Sequence, residues 1–152
     1  HYEKVLLSLK IKKFIQRNKK VKIHARNISS SLNFSNNSYK DLNSKIKKLG
    51  LNNIKLIKGD FTKTLEIFFE KNKNKSIFAS NIDCDLYLSY KKILPLLWNK
   101  INKNGLIMLD EYYSLKFPGA KIACDEFFEM NKIKPKVSKI KPGDFERWYI
   151  KK

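Results

Sequence analysis

The sequence is poor in glycine, cysteine, arginine and acidic residues. Only five glycines occur, none in a GxGxG arrangement, and the two cysteines, Cys84 and Cys124, form no CxxC pair. That spacing disfavours a disulfide framework and a zinc site, and it favours two reduced thiols in a cytoplasmic protein. No apolar run approaches the roughly 20 residues that a membrane-spanning helix needs, so we expect no such segment.

The shortage of acids leaves a large positive charge. Lysine and arginine number 33 against 14 aspartates and glutamates, which gives a formal net charge of +19. Such a charge can bind nucleic acid by releasing counterions from phosphates. However, Arg17, Arg26 and Arg147 are the only arginines, and the planar arginine fork is the side chain best suited to phosphate recognition. We therefore favour solvated lysine faces, with an RNA-binding or other anionic-surface role as the alternative.

Short apolar segments and amphipathic segments alternate along most of the chain. This alternation predicts an α/β sandwich with a mainly parallel sheet, and the last two strand-like segments predict an antiparallel hairpin. No repeat or linker divides the 152 residues, so we expect a single domain. The expected helices are residues 2–18, 38–49, 62–70, 90–101 and 120–130, and the expected strands are residues 20–25, 54–57, 76–82, 106–109, 136–140 and 147–150.

Acidic residues follow three of the expected strands, although acids are scarce in this chain. Ligands of open α/β sheets bind outside the carboxyl ends of the strands, so these acids stand where a site is expected. If the strands are neighbours, their carboxylates repel one another unless a proton or a cation neutralises them, and Mg²⁺ binds such oxygens. Capping of the next helix or loop is the alternative. The acids are Asp60, the pair Asp83 and Asp85, and the pair Asp110 and Glu111.

Five short motifs lie between residues 59 and 128: GDFTKTL at 59–65, DCDLY at 83–87, DEY at 110–112, PGA at 118–120 and ACDEFF at 123–128. In this order they resemble the motifs of the macrocin O-methyltransferase family. These enzymes are class I S-adenosylmethionine-dependent methyltransferases that act on sugar hydroxyls. The resemblance implies a Rossmann-like α/β sandwich, S-adenosylmethionine and Mg²⁺ as cofactors, and a sugar or glycan acceptor.

The resemblance also implies a metal site and a catalytic residue. By position, Asp83, Asp110 and Glu111 correspond to ligands of a Mg²⁺ that lowers the pKa of the substrate hydroxyl. Asp83 also corresponds to the acceptor of the hydroxyl proton. The family usually has aspartate where this chain has Glu111. Asp85 receives no ligand role and is interpreted as bracing its loop.

The sequence contains only part of the family's cofactor-binding motifs. By position, Asn27 corresponds to the residue that binds the ribose, Asp60 accepts from the adenine amine, and Phe61 packs the ring, with a core aromatic as the alternative for Phe61. The glycine-rich first strand and loop of the family have no counterpart. We therefore expect the chain to begin, at His1, just after that motif.

The remaining expectations concern the acceptor and the alternatives. Tyr87, Tyr112, Tyr113 and Lys116 correspond to loop positions that face the acceptor. The adjacent acids Asp125 and Glu126 are expected to cap the helix that they open. A degenerate methyltransferase fold that binds RNA or an anionic surface and an RNA methyltransferase remain alternative functions, and a homo-oligomer is possible.

Overall fold

The computed structural model describes residues 8–13, 38–113, 117–138 and 146–152. Its residues divide into two units, Ser29–Lys73 and a larger unit that includes Asn74–Lys152 together with the N-terminal residues. Residues 8–13 are helical and form α1, as the amphipathic pattern predicts. The expected strand at residues 20–25 lies outside the described residues.

The smaller unit contains two helices, α2 (Tyr39–Lys48) and α3 (Phe61–Lys71). The side chain of Ser38 caps α2 by accepting a hydrogen bond from the backbone N–H of Asp41 at 3.0 Å. Gly50 follows α2 with φ of 65°, in the left-handed region, and ends the helix close to the predicted end at residue 49. Residues 54–57 form no strand, contrary to expectation. A strand needs a paired neighbour, and no described segment pairs with this one.

The larger unit contains a sheet whose described strands are β1 (Ile77–Ile82), β2 (Ile101–Leu109), β3 (Lys136–Val137) and β4 (Trp148–Lys151). The strand order is β1-β2-β4-β3. β1 and β2 are parallel, whereas β4 is antiparallel to both β2 and β3. The predicted C-terminal antiparallel pair is thus confirmed, while the parallel part of the described sheet is a single pair of strands.

Two helices, α4 (Tyr87–Lys100) and α5 (Pro118–Asn131), pack against each other, and α4 also contacts β1 and β2. Burial along β2 alternates: Ile107 and Leu109 are buried, while Met108 is 38% exposed. Among the described residues, β2 is therefore buried on one face and accessible on the other. One face of the sheet forms the core together with the two helices. Fully buried side chains of this core are Tyr90, Ile82, Leu94, Ile107, Leu109, Ile150 and Cys124.

A glycine allows β1 and β2 to approach each other closely. β2 begins before the expected strand at residues 106–109 and includes residues 101–105, and the register of the pair shifts between Ile77 and Ala79. A Cβ added to Gly105 would lie 2.6 Å from the backbone oxygen of Phe78 and 2.9 Å from Cγ2 of Ile101. Because a carbonyl oxygen in a sheet cannot move away freely, any side chain at this position would force the strands apart.

Gly105→Ala is expected to lower the free energy of unfolding by about 1–3 kcal/mol, the usual cost of overpacking. Urea denaturation followed by circular dichroism measures the change. Asn102→Ala, at an exposed position of the same strand, is the control and is expected to change the free energy of unfolding by less than about 0.5 kcal/mol. Equal stability of Gly105→Ala and the parent would contradict the close approach.

Candidate functional site

The carboxyl ends of β1 and β2 lie side by side. Ile82 pairs with Leu109 in the parallel register, and the backbone N–H of Asp110 donates to the carbonyl of Ile82 at 3.0 Å. The residues that follow the two strands therefore begin at the same level of the sheet. The two strands are therefore neighbours, which is the condition under which their terminal carboxylates were expected to repel one another.

Three carboxylates form what we call the acidic cluster: Asp83, Asp85 and Glu111. One oxygen from each lies within 4.8 Å of the other two. Asp83 is exposed, Asp85 is partly exposed, and Glu111 is only 4% exposed. The cluster thus has a side open to solvent, at Asp83, and a buried side, at Glu111.

The environment of the cluster disfavours negative charge. The pKa of Glu111 is raised to about 8, and burial is the largest cause. A hydrogen bond from Tyr90 lowers the pKa, whereas a hydrogen bond with Asp110 and the charges of Asp110 and Asp85 raise it. Burial also raises the pKa of Asp85, and so do the charges of Asp83 and Asp110, while a hydrogen bond with Glu111 lowers it. A cation or a proton would relieve this repulsion.

The structure brings together two of the three expected metal ligands, Asp83 and Glu111. Asp110 is not a member of the acidic cluster, although it neighbours Glu111, and its role as a ligand stays a prediction. Asp85, for which no ligand role was predicted, is the third member. The signal for it was the spacing Asp-x-Asp just beyond a strand.

Asp85 occupies its place because of an unusual turn. Its φ is 58°, in the left-handed region, and the backbone N–H of Leu86 donates to the carbonyl of Cys84, which closes a three-residue turn around Asp85. Aspartate tolerates this region better than most residues do. Backbone strain of this kind is common at functional sites, and here it accompanies a clustered carboxylate.

Tyr90 lies behind the acidic cluster and was not expected there. Its side chain is fully buried, and its hydroxyl lies 2.8 Å from the carbonyl oxygen of Ile82 and 2.9 Å from Oε2 of Glu111. A tyrosine on the apolar face of a helix is typical of a core residue, so the sequence carried no specific signal for this contact.

Two of the tyrosines expected to face the acceptor form hydrogen bonds to α5, and their role toward an acceptor stays a prediction. The hydroxyl of Tyr87 donates to Glu126 at 2.9 Å, and that of Tyr112 donates to Asp125 at 2.8 Å. Both rings are buried, at 7% and 6% exposed. Because α5 begins at Pro118, the two acids lie inside the helix, so the expectation that they cap it is wrong. Their role is to anchor the tyrosines.

Tyr113, the third tyrosine expected to face the acceptor, is accessible to solvent. It is 58% exposed, and its ring stacks on Trp148 with the centroids 6.1 Å apart and the planes 17° apart. Trp148 pairs with Leu109, at the carboxyl end of β2, so it lies at the same edge of the sheet as the acids. Lys116 lies outside the described residues.

The expected adenine-binding residues belong to the smaller unit. Asp60 caps α3, and both the backbone N–H and the hydroxyl of Thr62 donate to its Oδ1, at 2.9 Å and 2.7 Å. These bonds lower the pKa of Asp60. Phe61 is 43% exposed, which does not fit the core-aromatic alternative. Asn27 lies outside the described residues, so its role stays a prediction.

Comparison with family models identifies the relatives of this chain. The model of the macrocin O-methyltransferase (TylF) family matches residues 13–148. The chain belongs to this family. The match includes every expected site residue, from Asn27 to Lys116, and it also includes Trp148 at its end.

Solved structures agree with the macrocin O-methyltransferase assignment at the level of the fold. The chain is similar to CalS11, described as a TDP-rhamnose 3'-O-methyltransferase of calicheamicin biosynthesis, with a TM-score of 0.55, 24% identity and 63% of this chain covered. A second structure of CalS11, a calicheamicin methyltransferase, gives the same values. The matched part spans 40% of the CalS11 chain in one structure and 36% in the other. No curated protein matches the chain.

Among the described residues, no helix is both long enough and apolar enough to cross a bilayer.

Asp85→Asn is expected to raise the free energy of unfolding of the metal-free protein at pH 7.5 by about 0.5–2 kcal/mol, as removal of strained or repelling groups at functional sites often does. Asparagine keeps the left-handed turn and carries no charge. Because the pKa of Asp85 is raised in the folded state, the carboxylate stabilises the fold less as the pH rises, so the gain should increase with pH.

Urea denaturation in a chelator at several pH values measures this effect. The same pair of proteins in saturating Mg²⁺ is the control, since a bound cation would relieve the repulsion and reverse the order of stabilities. A variant less stable than the parent without metal would show that Asp85 is a structural residue.

Proposed function

We propose that this chain is the metal-binding part of an S-adenosylmethionine-dependent, Mg²⁺-assisted O-methyltransferase that acts on a sugar hydroxyl. The observation that carries the proposal is the acidic cluster at the carboxyl ends of β1 and β2. Membership of the macrocin O-methyltransferase family and the fold shared with CalS11 support it. The matched part spans two fifths of the CalS11 chain. The proposed activity is therefore that of the whole enzyme to which this chain belongs.

The donor set of the acidic cluster fits Mg²⁺. Asp83, Asp85 and Glu111 offer carboxylate oxygens, which are the hard ligands that this ion prefers. Three ligands leave positions for water and substrate oxygens, and Asp110, beside Glu111, remains a candidate ligand. A bound Mg²⁺ supplies Lewis acidity that lowers the pKa of a sugar hydroxyl.

The residues of the cluster differ in what they can do for the reaction. Asp83 is exposed, so its carboxylate can approach an acceptor and take up the hydroxyl proton. Glu111 is buried and cannot meet the acceptor directly. We therefore assign Asp83 the role of proton acceptor, and we assign Glu111 to holding the cation from the protein side.

The acceptor would lie on the aromatic side of the cluster. Tyr113 and Trp148 offer a stacked aromatic surface at this edge of the sheet, and such a surface suits the apolar C–H face of a sugar ring. The hydroxyls of Tyr87 and Tyr112 bind Glu126 and Asp125. These two tyrosines would therefore act by positioning the segments around the acceptor. Lys116 follows Tyr113 closely in sequence and keeps its predicted role as an acceptor contact.

The assignments for the methyl donor concern Asp60, Phe61 and Asn27. Both hydrogen bonds from Thr62 reach Oδ1 of Asp60, so its other oxygen can accept from the amine of adenine. Phe61 follows with an accessible ring. Asn27 would bind the ribose hydroxyls through its amide. These three assignments follow the family pattern and belong to the proposal.

The net charge of +19 favours a second candidate function, the binding of a polyanion. A methyltransferase fold without activity could bind RNA or another anionic surface through its lysines. The affinity would then fall steeply with salt concentration and would not depend on the carboxylates of the acidic cluster.

The test is methyl transfer by the protein together with any residues that precede His1 in its gene. Nucleotide-linked deoxysugars serve as acceptors, and mass spectrometry measures S-adenosylhomocysteine and methylated sugar. We expect turnover that requires Mg²⁺, and Asp83→Asn should reduce it by about 100-fold or more, since both a ligand and the proton acceptor are lost. Asp41→Asn, at an exposed position of α2, is the matched control.

Two results would contradict the proposal. The first is a protein that binds neither S-adenosylhomocysteine nor Mg²⁺ by calorimetry. The second is tight, salt-sensitive RNA binding that Asp83→Asn leaves unchanged, together with no methyl transfer to any sugar, which would favour the basic binding module.

A further inference from the structure

The hydroxyl of Tyr90 is the most enclosed polar group beside the acidic cluster. The residue is 0% exposed, and it lies on α4 directly behind the ends of β1 and β2. Three polar atoms surround its oxygen: the carbonyl of Ile82 at 2.8 Å, Oε2 of Glu111 at 2.9 Å, and the backbone nitrogen of Glu111 at 3.5 Å. The hydroxyl therefore contacts both strand ends.

A count of protons shows which of these contacts can form together. The hydroxyl has one proton to donate, and its oxygen can accept from the backbone N–H of Glu111. The carbonyl of Ile82 and the carboxylate of Glu111 compete for that one proton. When Glu111 is ionised, as a metal ligand must be, the charged carboxylate is the stronger acceptor.

The carbonyl of Ile82 does not depend on Tyr90. It also accepts from the backbone N–H of Asp110 at 3.0 Å. The tyrosine proton can therefore be directed to Glu111 without leaving a buried carbonyl unpaired, which would otherwise destabilise the fold.

We infer that Tyr90 is a positioning residue: its hydroxyl holds the ionised Glu111 carboxylate in the orientation in which Glu111, Asp83 and Asp85 bind a divalent cation. This inference rests on the proposed Mg²⁺ site and adds a residue to it. A glutamate has one more rotatable bond than an aspartate, and so it loses more freedom when it binds a metal. The buried hydrogen bond restricts that freedom before the cation arrives.

The experiment is titration of chelator-stripped protein with Mg²⁺ by calorimetry. Tyr90→Phe removes the hydroxyl and keeps the ring, and we expect it to weaken Mg²⁺ affinity roughly 10- to 100-fold, the range for groups that orient metal ligands. Circular dichroism and thermal melting in the chelator establish that the variant is folded.

Tyr149→Phe is the control for metal affinity. Tyr149 is a partly exposed tyrosine of β4 that pairs with Met108, on the face of the sheet opposite to Ile107 and Leu109. The change removes the same hydroxyl at a position outside the acidic cluster, so a difference between the two variants in Mg²⁺ affinity reports on Glu111.

Glu111→Asp gives a second, independent variant that does not depend on the folding of Tyr90→Phe. The shorter carboxylate does not reach the tyrosine hydroxyl, so Mg²⁺ affinity is expected to fall in this variant as well. Adding Tyr90→Phe to Glu111→Asp should then cause little further loss, because the interaction is already absent.

The outcomes separate this inference from the proposed function. If the parent binds Mg²⁺ and Tyr90→Phe binds it equally well, or if Glu111→Asp binds it more tightly than the parent, the positioning role is wrong and the metal site stands. If the parent and Tyr149→Phe both fail to bind Mg²⁺, the metal site itself is wrong and the inference falls with it.

Discussion

The candidate site depends on one backbone pairing, the parallel register that sets Ile82 beside Leu109. A shift by one residue would place the next acids at different levels and would turn the side chains of one strand to the other face. The hydrogen bond from the N–H of Asp110 to the carbonyl of Ile82 extends the pairing past the end of β2. Gly105 contributes at the other end of the pair, where its missing side chain lets the strands approach each other.

Helix α5 holds the segments that carry the site. Its acids bind the hydroxyls of Tyr87 and Tyr112, and these tyrosines follow the acids of the two strand ends closely in sequence. Lys121 adds a third contact, 2.7 Å from Asp125. Within the described residues, no buried side-chain nitrogen or oxygen lacks a hydrogen-bond partner. The hydrogen bonds to α5 therefore restrict the segments that carry the acidic cluster, as precise ligand geometry requires.

The sequence predicted the convergence of acids because a strand end is visible as an apolar run followed by charge. Asp83 and Glu111 were found in this way. Asp85 was missed as a cluster member because its position depends on a φ of 58°, which no residue pattern encodes, and Tyr90 was missed because a buried hydroxyl is indistinguishable from a core ring in sequence. The expected strand at residues 54–57 failed for a related reason, since pairing depends on a partner elsewhere in the chain.

The charges of the acidic cluster are themselves an argument for a ligand. A carboxylate that is 4% exposed and close to two others opposes folding through both desolvation and repulsion. Glutamine could accept the same hydrogen bond from Tyr90 without a charge, and an apolar side chain could fill the same volume. Packing alone therefore gives no reason for an acid at position 111. A cation bound by the three carboxylates would remove both penalties and would give the acid at this position a function.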